Sequence, residues 1–419
     1  MVSVFLTQND GAILGPIAKV LGWILNGIFE FLSNFGIENA GLCIIIFTFL
    51  VNALMIPMTI KQQKFTKLSS KMTPEINKIN EKYKGKKDEA SIQKQQLELQ
   101  AVYEKYGASP TSGCLPMLIT LPIMFALYRV IYSIPAYVDS IKALYENIAN
   151  AMLNTDYLAT MTEYAGQFTN LQIDKWGDIS TAIPVNNLID IMSQFKASHW
   201  EEVLANPAFA SITDIISTNS QQIMSINDFG FGLNIAEAPM QMITGSGVPF
   251  GVRFAYLLIP VLAALFQILS TKMMTAKQPQ NTNANDPTAA TMKSMNTTMP
   301  IMMGVMCLVI PVGVGIYIIA GSVFRIIQQF FVDKYMDSLD VDDLIEKNKE
   351  KQKKKKERMG IDPNMSMQEV AKKRTSTMQD KAKSTSSNSV NTSKKTYKEG
   401  SIGAYANMLG NKNGDKENK

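Results

Sequence analysis

The stretch GLCIIIFTFLVNALMIPMTI, residues 41–60, indicates which class of protein this chain is. It contains no charged residue, and at about 1.5 Å per residue it is long enough to cross a hydrocarbon core of roughly 30 Å. One asparagine, Asn52, lies near its middle. A polar side chain at that depth is costly unless it faces other helices or water. Asn52 therefore indicates a functional surface inside a membrane protein.

Hydropathy predicts four further spans, so we expect an all-α fold, a polytopic membrane protein with a five-helix transmembrane core. The fourth span is short and covers only about two thirds of a roughly 30 Å core, so the bilayer must thin there or water must enter. The predicted spans are 41–60, 114–135, 254–271 and the pair within 299–332, divided into 299–311 and 312–332.

An earlier apolar segment, residues 13–32 within the N-terminal region 1–40, differs from these spans. Its apolar residues recur at helical spacing, while Lys19, Asn26 and Glu30 interrupt it. This pattern is typical of an amphipathic helix lying in the membrane interface, with a sixth span as the alternative. The preceding MVSVFLTQND has no basic n-region, so we expect no removable signal peptide.

The distribution of lysine predicts the orientation. Residues 61–107 contain eleven lysines, whereas residues 136–250 contain three lysines and twelve acidic residues. Positively charged loops remain in the cytoplasm. We therefore expect the N-terminus outside, the C-terminus in the cytoplasm, and residues 272–298 as a cytoplasmic loop.

The lysine-rich block 61–113 has the pattern of a cytoplasmic helical hairpin. Phe65, Leu68 and Met72 lie on one helical face, and Thr73-Pro74-Glu75 resembles the cap of a new helix. Gly85 and its charged neighbours predict the turn, and the return helix is expected over Ser91–Tyr106. Two solvated helices packed on each other explain this pattern, and docking of a partner is the alternative.

The composition argues against an enzyme and against a metal or cofactor site. The single histidine, His199, has no Cys or His neighbours, and Cys43, Cys114 and Cys307 lie in or beside apolar runs without the spacing of a metal or disulfide motif. No phosphate-binding loop is present. The rival class, a transporter or channel-like protein, would be expected to carry intramembrane carboxylates, and none occurs in the five predicted spans.

Three segments taken in order carry a family resemblance. They are FTFLVNALMIPMTIKQQ (47–63), YGASPTSGCLPMLITLPIMFALYR (106–129) and MPIMMGVMCLVIPVGVGIYIIAGSVFRIIQQ (299–329). The chain resembles the YidC family of bacterial membrane-protein insertases, which has mitochondrial and chloroplast relatives. The most specific parts are Pro110, Gly113, Cys114 and Pro116, and the run 326–329, Ile-Ile-Gln-Gln.

The resemblance implies a hydrophilic groove, open to the cytoplasm and to lipid, that receives the polar part of a nascent span. The span then enters the bilayer without covalent chemistry or nucleotide. The implied setting is the bacterial plasma membrane. The implied partners are nascent membrane proteins and membrane lipids, with a ribosome contact through the basic tail and cytoplasmic regions and with the Sec translocon as a possible partner.

The candidate groove residues depart from the family pattern at one position. Where the family usually has an arginine in the first core span, this chain has Asn52. Arg325 in the last span is a candidate replacement for that charge, and snorkelling of Arg325 to the cytoplasmic interface is the alternative. The polar residues Gln267, Ser322 and Gln328 of the last three spans complete the predicted groove.

Two further segments lie outside the predicted five-helix core. Residues 136–253 are far longer than the resemblance implies, and we predict an extracytoplasmic, acidic and helical insertion that either binds a partner or has no shared role. The tail, 333–419, includes KNKEKQKKKKER at 347–358 and is predicted to be basic, disordered and cytoplasmic. Clustered lysines attract polyanions, either ribosomal RNA or anionic lipid.

Overall fold

A computed structural model describes residues 14–86, 88–108, 122–123, 125–126, 129–131, 133–168, 171, 173, 176, 178–276 and 287–358. Within them the structure is helical and contains no strand, apart from one isolated bridge between Asp228 and Asn234. The all-α class is confirmed. The chain divides into two units, 1–352 and 353–419. Span 114–135 and residues 359–419 lie largely or wholly outside the described residues.

Fourteen α-helices are described, and they are numbered here in chain order. They are α1 (Leu14–Ser33), α2 (Ala40–Leu54), α3 (Ile56–Lys82), α4 (Glu89–Lys105), α5 (Asp139–Met152), α6 (Leu158–Gln167), α7 (Val185–Met192), α8 (Ala197–Ala205), α9 (Thr213–Asn227), α10 (Pro239–Thr244), α11 (Phe250–Thr275), α12 (Pro287–Met306), α13 (Val312–Asp337) and α14 (Val341–Arg358).

By length and composition, three described helices could cross a bilayer: α1, α11 and α13. The pair α2 and α3 counts as a fourth if the two are one bent span, and residues 297–306 of α12 form a shorter apolar helix. The protein is therefore a multi-pass membrane protein. One face of α1 packs on α2, while Trp23 on the other is 78% exposed.

The predicted span 41–60 is not one straight helix. Helix α2 ends at Leu54, and α3 departs from it at an angle of 52°. Pro57, in the first turn of α3, is the physical reason, because proline has no N–H to donate and its ring clashes with the carbonyl four residues earlier, which prevents α2 from continuing as a regular helix. The break places Asn52 in the last turn of α2 rather than in the middle of a straight span.

The predicted helix break at Thr73-Pro74-Glu75 is also wrong, because α3 continues through Pro74. Leu68 and Met72 are buried in a small core with Val102 of α4, and this packing outweighs the hydrogen bond that proline cannot make. Ion pairs Lys82–Glu98 and Lys105–Glu75 also join α3 to α4. The last of these, with the Tyr106 hydroxyl, holds the pKa of Glu75 below its ordinary value.

The predicted disorder of the tail is wrong for residues 333–358, because α13 extends to Asp337 and α14 follows it. Val341 and Ile345 of α14 pack against the core between α3 and α4. The Lys67 ammonium of α3 donates to the carbonyls of Met336 and Leu339, which satisfies carbonyls at the C-terminal end of α13. The cytoplasm-facing end predicted for the last span is thus attached to α3.

The last three predicted spans differ from the helices at their ends. Helix α11 contains 254–271, and α13 contains 312–332 with five further residues. The predicted end of the fourth span at 311 is wrong: α12 ends at Met306, and turns lead to Pro311, the N-cap of α13. Proline disfavours the helical conformation at Ile310, so the chain must leave the helix before it.

The insertion, 136–253, is helical where it is described, and its buried aromatic and aliphatic residues, including Trp200 and Phe209, share one hydrophobic core with residues of the spans. The segment 228–240, here called the strap, attaches it to the spans. Three backbone–backbone hydrogen bonds make this attachment, Val312 N–H to Glu237 O, Gly313 N–H to Ile235 O and Met240 N–H to Leu308 O, and the Asn234 N–H also donates to the Tyr256 hydroxyl. The strap thus satisfies donors at the first turn of α13.

The single histidine lies in an aromatic cluster of the insertion. The His199 ring lies 5.5 Å from the Phe195 ring and 5.6 Å from the Tyr164 ring, centroid to centroid. Its Nδ1 accepts the Lys196 N–H at the start of α8. Burial lowers the pKa of His199 from its ordinary 6.5, the Lys196 charge lowers it further, and Glu202 acts in the opposite direction.

We expect this cluster to make the insertion sensitive to acid. Because the folded pKa of His199 is depressed, the unfolded chain binds the proton more readily, so the stabilisation is complete above about 6.5 and is lost as the pH falls toward the folded pKa. Imidazole NMR of the single histidine should give a pKa below 6.5, and His199→Gln should flatten the acid side of the thermal-unfolding profile. A pKa at or above the ordinary value would contradict this expectation.

Candidate functional site

Three of the five predicted groove residues meet between α11 and α13. Arg325 Nη2 donates to Gln267 Oε1 and to Ser322 Oγ, at 2.9 Å each, and Ser322 Oγ donates to Gln267 Oε1 at 2.7 Å. Ser322 is fully buried, and Arg325 and Gln267 are half-buried. This triad, Gln267, Ser322 and Arg325, is a polar cluster in the interior of the helix bundle.

The direction of the Arg325 side chain argues against snorkelling. Its guanidinium bonds Ser322, one turn toward the N-terminal end of α13, and its Nη1 would lie 3.3 Å from a Cβ at Gly321. Snorkelling to the cytoplasmic interface would instead take it toward the C-terminal end of α13, which is the predicted cytoplasmic end. Arg325 is about 20 Å from the start of α13, within a hydrocarbon core of roughly 30 Å.

Gly321 makes room for the guanidinium beside α2. A Cβ at Gly321 would lie 3.6 Å from Thr48 Cγ2, so α2 closes the third side of the triad. Thr48 is fully buried, and its carbonyl accepts the Asn52 Nδ2–H at 2.7 Å. Asn52 therefore lies one helical turn from the residue that faces the triad, and its side chain is tied to its own helix.

The triad leaves the arginine charge without a counter-ion. In the described part of the chain no carboxylate lies within 4.0 Å of Arg325, and its side-chain partners there are the neutral oxygens of Gln267 and Ser322. An arginine in a low-dielectric interior is costly unless water or an anionic group compensates it. The site can therefore bind water, or a carboxylate or backbone carbonyl from another chain.

Gln328 continues the polar surface one turn beyond Arg325. It is 9% exposed, and its Nε2 has no hydrogen-bond partner among the described residues. Its neighbour Gln329 bonds Asp333 at 2.7 Å and accepts from Gln63 of α3 at 3.2 Å. The sequence analysis did not single out Thr48, Gly321, Gln63 or Asp333. The last two follow predicted spans, and only packing shows that they meet.

A separate cavity of about 250 Å³ lies between the insertion and the starts of α2 and α13. Ile44, Tyr145, Lys196 and Val314 contribute to its lining, and none of the five predicted groove residues does. Within the described residues no group of three or more His, Cys, Asp or Glu side chains is arranged to hold a metal ion. The polar triad is therefore the candidate site.

Comparison with known proteins identifies the family to which this helix bundle belongs. Residues 31–339 match the family described as "60Kd inner membrane protein". The chain belongs to this family. The match to the 60Kd inner membrane protein family includes α2 to α13 and thus the whole triad and the insertion.

Three individual relatives match this chain over different lengths. The chain is similar to "Membrane protein insertase YidC 2" of Bacillus anthracis, 38% identical over 107 residues (26% of this chain, 42% of the relative). It is similar to "Membrane protein insertase YidC" of Fusobacterium nucleatum, 38% identical over 120 residues (28% and 54%). "ALBINO3-like protein 1, chloroplastic" of Arabidopsis thaliana is 24% identical over 330 residues (78% and 50%). The chain spans about half the length of these relatives.

Proposed function

We propose that this chain is a membrane protein insertase, and that Asn52, Gln267, Ser322, Arg325 and Gln328 line the groove that receives the polar part of a nascent span. The observation that carries the proposal is the triad, a half-buried arginine held by neutral acceptors inside a helix bundle. Relatives in the 60Kd inner membrane protein family named as insertases support it.

In this mechanism the groove lowers the cost of moving polar chain into the membrane. A charged side chain at the centre of a bilayer costs on the order of 2.5–3.5 kcal/mol on insertion scales. Arg325 offers a compensating charge to an acidic tail, and Gln328 Nε2 offers a free donor beside it. The apolar part of the substrate then partitions into lipid, and no covalent step is required. The chain is proposed to act without catalysis or cofactor.

The proposed orientation places the N-terminus outside and α3, α4 and α14 in the cytoplasm of a bacterial cell. Helix α14 packs through Val341 and Ile345 against the core between α3 and α4, and its sequence includes the basic run 347–358. Nascent chains, lipids, the Sec translocon and the ribosome are the proposed partners, with the ribosome attracted by these lysines. No specific observation favours a transporter or channel-like protein.

A complementation experiment tests the function. Cells depleted of their own insertase and supplied with this chain should regain protease accessibility of a short, polar N-terminal tail on a single-span substrate. The matched control is Gln267→Leu/Ser322→Ala/Arg325→Leu, which removes the polar triad while retaining apolar volume, and which should fail at equal abundance. Failure of the native chain, although present in the membrane, would contradict the proposed function.

A further inference from the structure

The strap contains an unusual turn, Gly230-Phe231-Gly232. All three residues have positive φ, at 98°, 56° and 74°. This left-handed region suits glycine but is unfavourable for a residue with a Cβ, and especially for a bulky one. In the described part of the chain, Phe231 alone among non-glycine residues adopts it. The backbone conformation therefore does not explain a phenylalanine at this position.

Packing within the chain does not explain the phenylalanine at position 231 either. Phe231 is 90% exposed. Phe229, two residues earlier, differs: its ring covers Gly41 at the start of α2, where a Cβ would lie 2.3 Å from Phe229 Cδ2. Phe229 thus attaches the strap to α2, and Phe231 points away from the protein. A strained backbone that presents an exposed aromatic ring indicates a partner outside the chain.

The position of the turn identifies that partner. Asn39, the N-cap of α2, donates from Nδ2 to the Asp228 carbonyl at 2.7 Å. On the other side, a Cβ at Gly232 would lie 3.1 Å from Val252 Cγ2, in the first turn of α11. The turn therefore lies where both helices enter the bilayer. At this depth, between the acyl chains and the headgroups, aromatic side chains are favoured.

The start of α11 carries exposed aromatic rings of its own. Phe250 is 84% exposed and Phe254 is 53% exposed, and the two lie one helical turn apart at the start of that helix. Aromatic rings at a span end that face away from the bundle face lipid. Phe231 lies at the same end of α11, next to the residue that contacts Val252, so the bilayer is an apolar environment available to its ring.

We propose that Phe231 is a lipid anchor whose ring inserts at the boundary between headgroups and acyl chains, in the leaflet where α2 and α11 begin. The occupant is the bilayer, and the anchor holds the strap, and with it the insertion, at the membrane surface. The strained turn is retained because transfer of the ring from water to the interface offsets its cost. The proposal depends on the spans and not on the insertase activity.

Fluorescence quenching in vesicles tests it. In the full chain with its three cysteines replaced by alanine, Phe231→Cys is labelled with an environment-sensitive nitrobenzoxadiazole dye, with Ser211→Cys, an exposed residue elsewhere in the insertion, as the matched control. In phosphatidylethanolamine–phosphatidylglycerol vesicles, nitroxide lipids labelled near the headgroup should quench the dye at 231 several-fold more than at 211. Iodide in the aqueous phase should quench the dye at 231 less than it quenches the dye at 211. Equal quenching at both sites would overturn the proposal. It is the result expected if Phe231 binds a protein partner and not lipid.

A second variant separates anchoring from a structural role. Phe231→Gly relieves the unfavourable backbone conformation, so thermal unfolding in detergent should be unchanged or shifted to higher temperature. In vesicles the same variant should increase amide hydrogen exchange across 228–240 several-fold, because the strap has lost its hold on the lipid. A lower unfolding temperature in detergent, or unchanged exchange in vesicles, would overturn the proposal.

Discussion

Replacing Arg325 by alanine is expected to reduce insertion of substrates with acidic tails about tenfold or more, since a hydrogen bond to a charged group contributes about 1.5–3 kcal/mol and 1.4 kcal/mol is a factor of ten. Substrates with neutral tails should be affected much less. The reason is the geometry of the triad, in which Arg325 bonds the neutral oxygens of Gln267 and Ser322 and retains its charge for the incoming chain. Protease protection of a tail-charge series measures both effects.

Two companion variants make this prediction specific. Arg325→Lys keeps the charge but loses the planar donor geometry, so it should be intermediate. Asn52→Arg in the Arg325→Ala background should partly restore insertion, because Asn52 bonds the carbonyl of Thr48, the residue that faces the triad. Equal insertion of acidic and neutral tails by Arg325→Ala and by the native chain would exclude Arg325 as the groove cation.

The second large effect is expected at Gly304, where α12 lies in close contact with α11. A Cβ at Gly304 would lie 2.6 Å from Ala264 Cβ and 3.3 Å from the Pro260 carbonyl. Such contacts between small residues allow helix backbones to approach in membranes. Gly304→Val must separate the two helices and should destabilise the fold by about 1–3 kcal/mol, the usual range for overpacking. Thermal unfolding in detergent measures the loss.

Gly251 supplies the matched control for this prediction. It lies on α11, and a Cβ there would meet nothing within 4 Å, so Gly251→Val should leave the unfolding temperature nearly unchanged. The pair Gly304→Ala and Ala264→Gly adds a double-mutant test, because removing the Ala264 methyl should relieve part of the strain that Gly304→Ala introduces. Equal effects of valine at 304 and 251 would show that the close approach does not matter.

The two ends of the last span are attached to different parts of the chain. The strap accepts the first-turn N–H groups of α13, and Lys67 of α3 donates to carbonyls at its last turn. Helix termini leave such groups unsatisfied unless another element supplies partners. Movement of the hairpin or of the insertion would therefore act on α13, the helix that carries Ser322, Arg325 and Gln328.

Much of the architecture follows from the sequence alone. Long uncharged runs predict membrane helices because the bilayer requires every backbone group to be bonded within the segment, and α11 and α13 contain the predicted ranges. Helix α8 ends just before Asn206-Pro207 and α9 ends at Asn227, because turn residues act locally. Arg325 became a candidate through the family resemblance, because this chain has Asn52 where the family usually has an arginine.

The triad itself was decided by tertiary structure. Gln267 and Ser322 are 55 residues apart, and nothing in local sequence pairs them. The direction of Arg325 depends on the space left by Gly321 beside Thr48. The continuation of α3 through Pro74, the helical order of residues 341–358 and the exposed Phe231 likewise depend on packing between distant segments, or on its absence. Local propensity and hydrophobic periodicity report what each segment can form, whereas the contacts between segments decide which polar groups meet and which remain free to bind.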